Sequence, residues 1–371
     1  MMTVNDLNRP VRPFDRVLRV FRAPEWGQVA ALLAVLVLIH FLDKDRAFFQ
    51  AYTIRTLIHN VARFGVLAIG AALVIIAGGI DLSTGAVVSL ASVVSAKLLT
   101  EWLRRGATAG QVPSAGLIAL AIALTLLMGL AIGLLHAFMI NELRLPPFIA
   151  TLATMAGLRS LATVLAESRT ITVDLAPQFL NAETRMTERG IDWFRIWGSE
   201  FWVTLSIFAG VAVLLSILMG WTVLGRHLYA LGGNEAAARL SGLRTTRLKA
   251  VAYGLSGTLS ALGGILFAGM NGQGDPRLGI SYELTAITAA VVGGCSLSGG
   301  VGSVRGAVLG LLLTQIVIKG TGIVVKGIDP TQIEGLVLGT VVVVAVSFNQ
   351  GTFRRGLQLA LRAVRVVKRT G

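Results

Sequence analysis

The chain has 371 residues, of which 54% are hydrophobic and only 14% are charged, and its formal net charge is +14. This composition, together with repeated long apolar runs, excludes an ordinary soluble domain and predicts an all-α polytopic membrane protein. A positive balance would favour nucleic-acid binding in a soluble protein. Here Lys and Arg in the loops of a membrane protein account for it, so we expect a lipid bilayer and no nucleic acid as partner.

Uncharged length predicts ten transmembrane spans of roughly 20 residues each, within a membrane domain of residues 28–350. A basic segment, 1–27, precedes them; no small-residue cleavage site follows the first apolar run, which favours an uncleaved span. The eighth span is short and is expected to be broken or re-entrant against protein or a cavity. The predicted spans are 28–42, 54–77, 85–103, 115–140, 147–166, 201–222, 250–270, 284–296, 304–323 and 332–349.

Lys and Arg are concentrated outside the spans in the N-terminal segment, in the loop 225–249 and in the tail 351–371. The positive-inside rule places all three segments, and therefore both termini, in the cytoplasm. The ten spans satisfy this rule because an even number separates each pair of segments; eight spans also satisfy it if one pair is re-entrant. Apolar residues alternate with the cations of the tail, which predicts an amphipathic helix on anionic lipid.

Two glycine-rich breaks interrupt the apolar runs. They read GGIDLSTG at 78–85 and GGCSLSGG at 293–300, and they align without gaps, so that Gly79 pairs with Gly294 and Ser83 with Ser298. Corresponding breaks in two halves favour an internal duplication around a transport pathway. The alternative is that Gly and Ser are common wherever membrane helices pack closely.

Asp81 is a charge within the first break, at a position where the second break has Ser296. A buried charge in a membrane is costly unless it has a partner or a function. An acidic residue just before a helix stabilises the free amides of the helix N-terminus. We therefore expect Asp81 to cap the following helix, with a substrate contact as the second interpretation.

No motif indicates an enzyme or a metal site. The sequence contains no nucleophile elbow, no HExxH and no P-loop lysine, and its four histidines lack metal-ligand spacing. Transport driven by ATP would therefore require a separate ATP-binding chain. The alternative is an ion-coupled secondary transporter, which the scarcity of ionisable residues in the spans disfavours, since Asp81 and His136 are the candidates.

The loop 225–249 is the predicted docking surface for such a partner. Its segment NEAAARLSGL starts with a residue suited to an N-cap, Asn234, continues with strong helix formers, and reaches a natural stop at Gly242. A short helix between two spans has the shape to fit a cleft on another chain. A solvated basic loop that only sets the membrane orientation is the alternative.

Four motifs occur in order along the chain: GGIDLSTGAVVSLASV from Gly78, LRLPPFIATLATM from Leu143, LGGNEAAARLSGL from Leu231 and YELTAITAAVVGGCSLSGGVGS from Tyr282. Together they closely resemble the ribose-type permeases of bacterial ATP-binding cassette importers, the sugar members of the branched-chain permease family. The resemblance covers residues 28–350, and the loop 167–200 shows no clear match.

This resemblance implies an inner-membrane subunit without a cofactor of its own, which translocates a monosaccharide or related polyol and pairs with a second permease chain as homodimer or heterodimer. ATP and Mg²⁺ would bind a cytoplasmic subunit docked on a coupling helix, and a periplasmic sugar-binding protein would deliver the substrate. The implied coupling positions are Asn234, Glu235, Ala236, Ala237 and Gly242. The implied pathway or helix-break positions are Gly79, Asp81 and Ser83, with Gly294 and Ser298 as their aligned counterparts. The loop implied to face the binding protein contains Asp275, Pro276 and Arg277.

Overall fold

The computed structural model describes residues 25–103, 114–173 and 193–325, together with residues 335, 336, 338–340 and 343. Within this part of the chain nearly every element is a helix. The elements are α1 (Glu25–Leu42), α2 (Ala51–Ile76), α3 (Thr84–Lys97), which continues as a π-helical turn (Leu98–Trp102), α4 (Ala115–Asn141), α5 (Pro147–Leu165), β1 (Ile171–Thr172), α6 (Trp193–Ser199), α7 (Phe201–Trp221), α8 (Val223–Gly233), α9 (Glu235–Leu240), α10 (Thr245–Asn271), β2 (Gln273–Gly274), α11 (Tyr282–Val292) and α12 (Val304–Val324).

Seven of the described helices are long and apolar enough to cross a membrane: α2, α3 with its π-helical turn, α4, α5, α7, α10 and α12. Helices α1 and α11 are apolar but shorter. The predicted all-helical polytopic fold is therefore confirmed, and nine predicted spans coincide with helices whose ends differ by a few residues. The predicted span 332–349 lies largely outside the described residues, as do residues 1–24 and the tail 351–371.

Helices α2 and α10 form the centre of the bundle. Almost every side chain of α2 from Val61 onward is buried, and so are most of those of α10 from Ala252 to Gly269. A helix that is apolar all round is expected either in a protein core or in a membrane, and the neighbouring helices place α2 and α10 in the core. Small residues permit the close packing: a methyl group on Gly257 of α10 would overlap the carbonyl oxygen of Gly129 in α4.

The outer helices α4, α5 and α7 keep apolar faces that no described element covers. Leu127 of α4, Val164 of α5 and Leu214 of α7 are among the exposed large side chains. Apolar outward faces of this kind are expected of helices that face lipid or a second membrane chain.

The two strands mark one end of the bundle. They pair antiparallel, with Ile171 opposite Gly274 and Thr172 opposite Gln273, and so join the segment after α5 to the segment after α10. We call this the strand end. The opposite end carries α9 and is called the α9 end.

Helices α3 and α11 both begin midway along the bundle and run in opposite directions. Their N-termini lie side by side, since a methyl group on Gly85 would overlap the carbonyl oxygen of Gly279 and the carboxylate of Glu283. From there α3 runs to the strand end, where the Ser89 hydroxyl donates to the Pro276 carbonyl at 2.6 Å. Helix α11 runs to the α9 end and, at 1.5 Å per residue, is about 16 Å long. The expected broken eighth span is thus a half-length helix preceded by an irregular segment.

Candidate functional site

Both breaks begin with the same helix-ending turn. Gly78 and Gly294 have φ values of 85° and 88°, in the left-handed region that favours glycine. In each break the amide of the next residue donates a hydrogen bond to the carbonyl five positions earlier, at 2.9 Å in both cases. This is a Schellman motif, which satisfies the free carbonyls at a helix C-terminus. The chain therefore leaves α2 and α11 in the same way.

The gap-free alignment of the two breaks is nevertheless wrong in register. The structural counterpart of Gly294 is Gly78 rather than Gly79. The residue directly before the next helix is Ser83 in the first break and Ser303 in the second, so Ser298 does not correspond to Ser83. The first break comprises residues 77–83 and the second the longer segment 293–303. A duplicated origin of the two breaks would therefore require inserted residues in the second.

The two breaks meet at the α9 end in a contact made almost entirely of backbone. The Gly300 amide donates to the Ile76 carbonyl at 2.9 Å. A methyl group on Gly299 would lie 2.8 Å from the Gly78 Cα atom, and one on Gly232 would overlap the Ile76 carbonyl oxygen. We call this contact the glycine junction. It consists of Gly78, Gly232, Gly233, Gly299 and Gly300, and it joins both breaks to the end of α8.

Helix α8 was not predicted from the sequence, and it also holds the second break. The Tyr229 hydroxyl donates to the Gly302 carbonyl at 2.8 Å. Burial raises the pKa of Tyr229 above its ordinary value, so the phenol stays protonated and remains a donor.

Helix α9 follows α8 directly, and its predicted caps are confirmed. The Asn234 side-chain oxygen accepts the Ala237 amide at 2.9 Å, and Gly242 ends the helix with a φ of 83°. The Glu235 carboxylate pairs with Lys249 at 2.7 Å and with Arg239 at 3.5 Å. The pair with Lys249 holds α9 against the start of α10, and the pair with Arg239 lies within α9.

The outer surface of α9 is open. Ala238 is buried, whereas Ala236 and Ala237 are exposed and Leu240 is 90% exposed. A fully exposed leucine at the tip of a short helix, beside small side chains, is typical of a contact surface that a partner covers.

A cavity of about 350 Å³ separates α9 from the breaks. Its walls include Gly78 and Gly79 of the first break, Ser298 of the second, Asn234 and Tyr253. The cavity thus brings Gly79, Ser298 and Asn234, three of the residues singled out from the sequence, to one place.

Asp81 lies deeper, near the midpoint of the bundle, and is only 3% exposed. One carboxylate oxygen accepts the Ser83 amide at 2.9 Å and the Ser83 hydroxyl at 2.7 Å. The other accepts the Ser256 hydroxyl of α10 at 2.7 Å. In the described part of the chain, Ser83 at the cap position makes no side-chain capping bond to the first amides of α3. The expected capping role is therefore corrected: Asp81 lies two residues before the cap position and fastens the break to α10.

The sequence analysis missed two charged residues at the same depth. Arg159 of α5 donates to the Gly279 carbonyl at 3.1 Å, while its other terminal nitrogen has no partner among the described residues. Glu283, in the first turn of α11, keeps one buried carboxylate oxygen without a hydrogen bond in the described part of the chain. The sequence signal that could have identified both residues is a single charge inside or beside an apolar run, because such charges are rare in membrane spans and usually functional.

A third charge not predicted from the sequence, Arg63, is buried and lies toward the strand end. Its guanidinium donates to the Asn60 side chain at 2.6 Å and to the Gly198 carbonyl at 3.3 Å, which joins α2 to α6. Among the described residues no group of three or more His, Cys, Asp and Glu side chains could hold a metal ion.

Residues 53–346 match the family described as the permease component of the branched-chain amino acid transport system. The chain belongs to this permease family. It is 33% identical to the ribose import permease protein RbsC of Haemophilus influenzae over 286 aligned residues. The aligned region covers 76% of this chain and 80% of the relative.

Two further relatives cover more of the permease. RbsC of Bacillus subtilis is 32% identical, over 88% of this chain and 92% of its own length. The fructose import permease protein FrcC of Rhizobium meliloti is 30% identical, over 87% of this chain and 84% of its own length. No solved structure gives a significant match.

The predicted docking loop for a binding protein lies at the strand end of the permease. The Asp275 carbonyl accepts the Ser92 hydroxyl at 3.2 Å, and Pro276 is buried against α3. Arg277 is the exposed member of the three, and its amide donates to the Asp275 carboxylate at 2.9 Å. Pro276 is therefore part of the packing rather than of an open surface.

Proposed function

We propose that this permease is the transmembrane subunit of an ATP-binding cassette importer and translocates a neutral monosaccharide or related polyol. Relatives named as ribose and fructose import permeases support this substrate class. ATP and Mg²⁺ bind a separate cytoplasmic subunit, and a periplasmic binding protein delivers the sugar. In this proposal the protein lies in the bacterial inner membrane, with both termini in the cytoplasm.

The observation that carries the proposal is the short path from the exposed tip of α9 to both helix breaks. Leu240 and the exposed alanines of α9 form the surface on which the ATP-binding subunit docks. Asn234 caps α9 and directly follows Gly233 of the glycine junction. Because Gly232 touches the Ile76 carbonyl and the Gly300 amide without any intervening side chain, a displacement of α9 reaches both breaks.

Alternating access follows from this path. Closure of the ATP-binding subunits moves α9, and the junction passes the movement to the segments that lead into α3 and out of α11. A second permease chain packs against the uncovered outer helices and completes the pathway. Such a mechanism requires that the force comes from outside this chain and that two arrangements of the breaks exist.

The test uses the permease reconstituted in liposomes with its ATP-binding subunit and binding protein. Leu240→Asp should lower both the stimulated ATPase rate and sugar uptake at least tenfold, because a carboxylate would be placed in an apolar contact. Leu143→Asp is the control, because Leu143 is an exposed leucine (56%) at the same end of the bundle but outside α9. Full uptake by Leu240→Asp, or full uptake without any ATP-binding subunit, would refute the proposal.

A second candidate, an ion-coupled secondary transporter, is supported by one observation. Asp81 and His136 are titratable groups buried within the bundle, Glu283 is half-buried, and the Nδ1 atom of His136 has no hydrogen-bond partner among the described residues. Such groups are the usual elements of proton relays. Uptake driven by a proton or sodium gradient in liposomes without ATP would support this function over the first.

A further inference from the structure

A second cavity at the α9 end, of about 670 Å³, lies between the end of α4, the turn before α5 and the start of α10. Four cationic side chains line it: Arg144, Arg239, Arg244 and Lys249. No carboxylate contributes to its walls within the described residues. This composition favours an anion, because concentrated positive charge in a concave site is stabilised by a negative ligand.

The start of α10 adds uncharged donors to the same cavity. Thr245 lines the cavity and is only 4% exposed, and its hydroxyl is an uncharged donor. No side chain caps the N-terminus of α10, and its first turn contains no acidic residue. The amides of Thr245 and Arg247 donate to the Leu243 and Arg244 carbonyls, so the helix N-terminus adds mainly its partial positive charge, which favours an anion.

The positive charge of the cavity is only partly balanced. The neighbouring Glu235 carboxylate pairs with Lys249 and Arg239. Arg144 and Arg244 form no ion pair with any described residue. Two free guanidinium groups, each a planar fork of donors, match the geometry of phosphate oxygens.

We propose that this cavity binds a phosphate group, carried either by the headgroup of an anionic phospholipid or by a soluble phosphate. The two Arg forks and the Thr245 hydroxyl would supply its donors. Ile140 and Leu243 add apolar side chains to the same lining, of the kind that lipid chains contact.

The site bears on coupling, and this step rests on the proposed function. A bound phosphate competes with Glu235 for Lys249, the cation of α10 that pairs with α9, and for Arg239 within α9 itself. Occupancy of the cavity should therefore loosen α9 and change the ATPase rate of the assembled transporter. The bound anion would therefore regulate the transporter and would take no part in recognising the sugar.

Binding is measured first on the full-length permease in neutral detergent, by native mass spectrometry with phosphatidylglycerol and phosphatidylcholine. Wild type should retain phosphatidylglycerol preferentially, and R144Q/R244Q should lose about tenfold in affinity, the loss expected when charge-assisted hydrogen bonds are removed. The control is R226Q/R247Q, which removes two exposed arginines of the same loop that lie outside the cavity. Each protein is first checked for its elution volume and thermal stability, and single R244Q replaces the double variant if that variant misfolds.

Inorganic phosphate and pyrophosphate distinguish the two sources. Calorimetric binding of either ion, lost in R144Q/R244Q, assigns the site to soluble phosphates; retention of phosphatidylglycerol alone assigns it to lipid. Equal losses in the cavity and control variants, or no preference of wild type for any of these anions, would overturn the proposal.

The regulatory step has its own readout. In liposomes, added phosphatidylglycerol or phosphate should change the ATPase rate of the wild-type transporter and leave that of R144Q/R244Q unchanged. If no ATP-binding subunit couples to the permease, the proposed function fails while the binding result stands.

Discussion

The glycine junction allows a matched test, because two adjacent glycines differ sharply in their surroundings. A methyl group on Gly232 would overlap the Ile76 carbonyl and lie 2.6 Å from the Gly300 amide. A methyl group on Gly233, the next residue, would meet no atom within 4 Å. Gly232→Ala should therefore disrupt the junction, and Gly233→Ala should not.

The magnitude follows from two effects. Overpacking a close contact by one methyl group costs about 1–3 kcal/mol. Separation of the breaks also removes the hydrogen bond from the Gly300 amide to the Ile76 carbonyl, with a net contribution of about 1 kcal/mol. We expect Gly232→Ala to lower the free energy of unfolding by about 2–4 kcal/mol. Gly233→Ala should change it by less than about 1 kcal/mol, the helix-propensity difference between the two residues.

The assay compares unfolding in mixed micelles and ATP-driven sugar uptake in liposomes for wild type and both variants. Loss of stability together with a reduced ratio of sugar imported to ATP hydrolysed is expected for Gly232→Ala alone. If Gly232→Ala is as stable and as well coupled as Gly233→Ala, the backbone contact does not transmit movement from α9 to the two breaks.

Three further predictions concern Asp81, Gly85 and Gly242. Asp81→Ala should destabilise the permease by about 3 kcal/mol, because it leaves the buried Ser256 hydroxyl and the Ser83 amide without an acceptor. In a double-mutant cycle with Ser256→Ala, the coupling energy should reach about 1.5 kcal/mol. Additive effects of the two substitutions, within about 0.5 kcal/mol, would contradict the hydrogen bond between these side chains. Gly85→Ala should lower the yield of folded protein through its overlap with Gly279 and Glu283, whereas Gly157→Ala on the open face of α5 should not; equal thermal stability of the two would refute the close approach. Gly242→Ala should cost about 1 kcal/mol by placing a side chain in left-handed backbone, with Ser241→Ala as control, and an unchanged unfolding curve would show that the turn can relax.

The sequence predicted the helices well because a bilayer leaves few alternatives to a helix for a long apolar run. The caps of α9 were also predictable, since an N-cap and a C-terminal glycine act within a few residues of one another. The end of α8, with its Gly-Gly pair, gave no such local signal, and its position becomes clear only from its contact with the two breaks.

The side-chain contacts of the candidate site could not be predicted, because they join segments that are far apart in the sequence. The bond from Asp81 to Ser256 joins residues 175 positions apart, and Arg159 reaches the carbonyl of Gly279 across 120 positions. Neither separation follows from apolar periodicity. The register of the two breaks was predicted wrongly for a related reason. The sequence alignment matched identical residues, whereas the structure matches the two glycines with left-handed backbone, Gly78 and Gly294.

The opposed helices α3 and α11 have a mechanical consequence. They run to opposite ends of the bundle, and an irregular segment precedes each of them, so neither runs from one end of the bundle to the other as a single helix. Because the two meet where Gly85 contacts Gly279, either helix can tilt while the other keeps its position. Amide hydrogen exchange should therefore be faster at residues 79–83 and 276–281 than in α2 or α10, which cross the bundle without interruption.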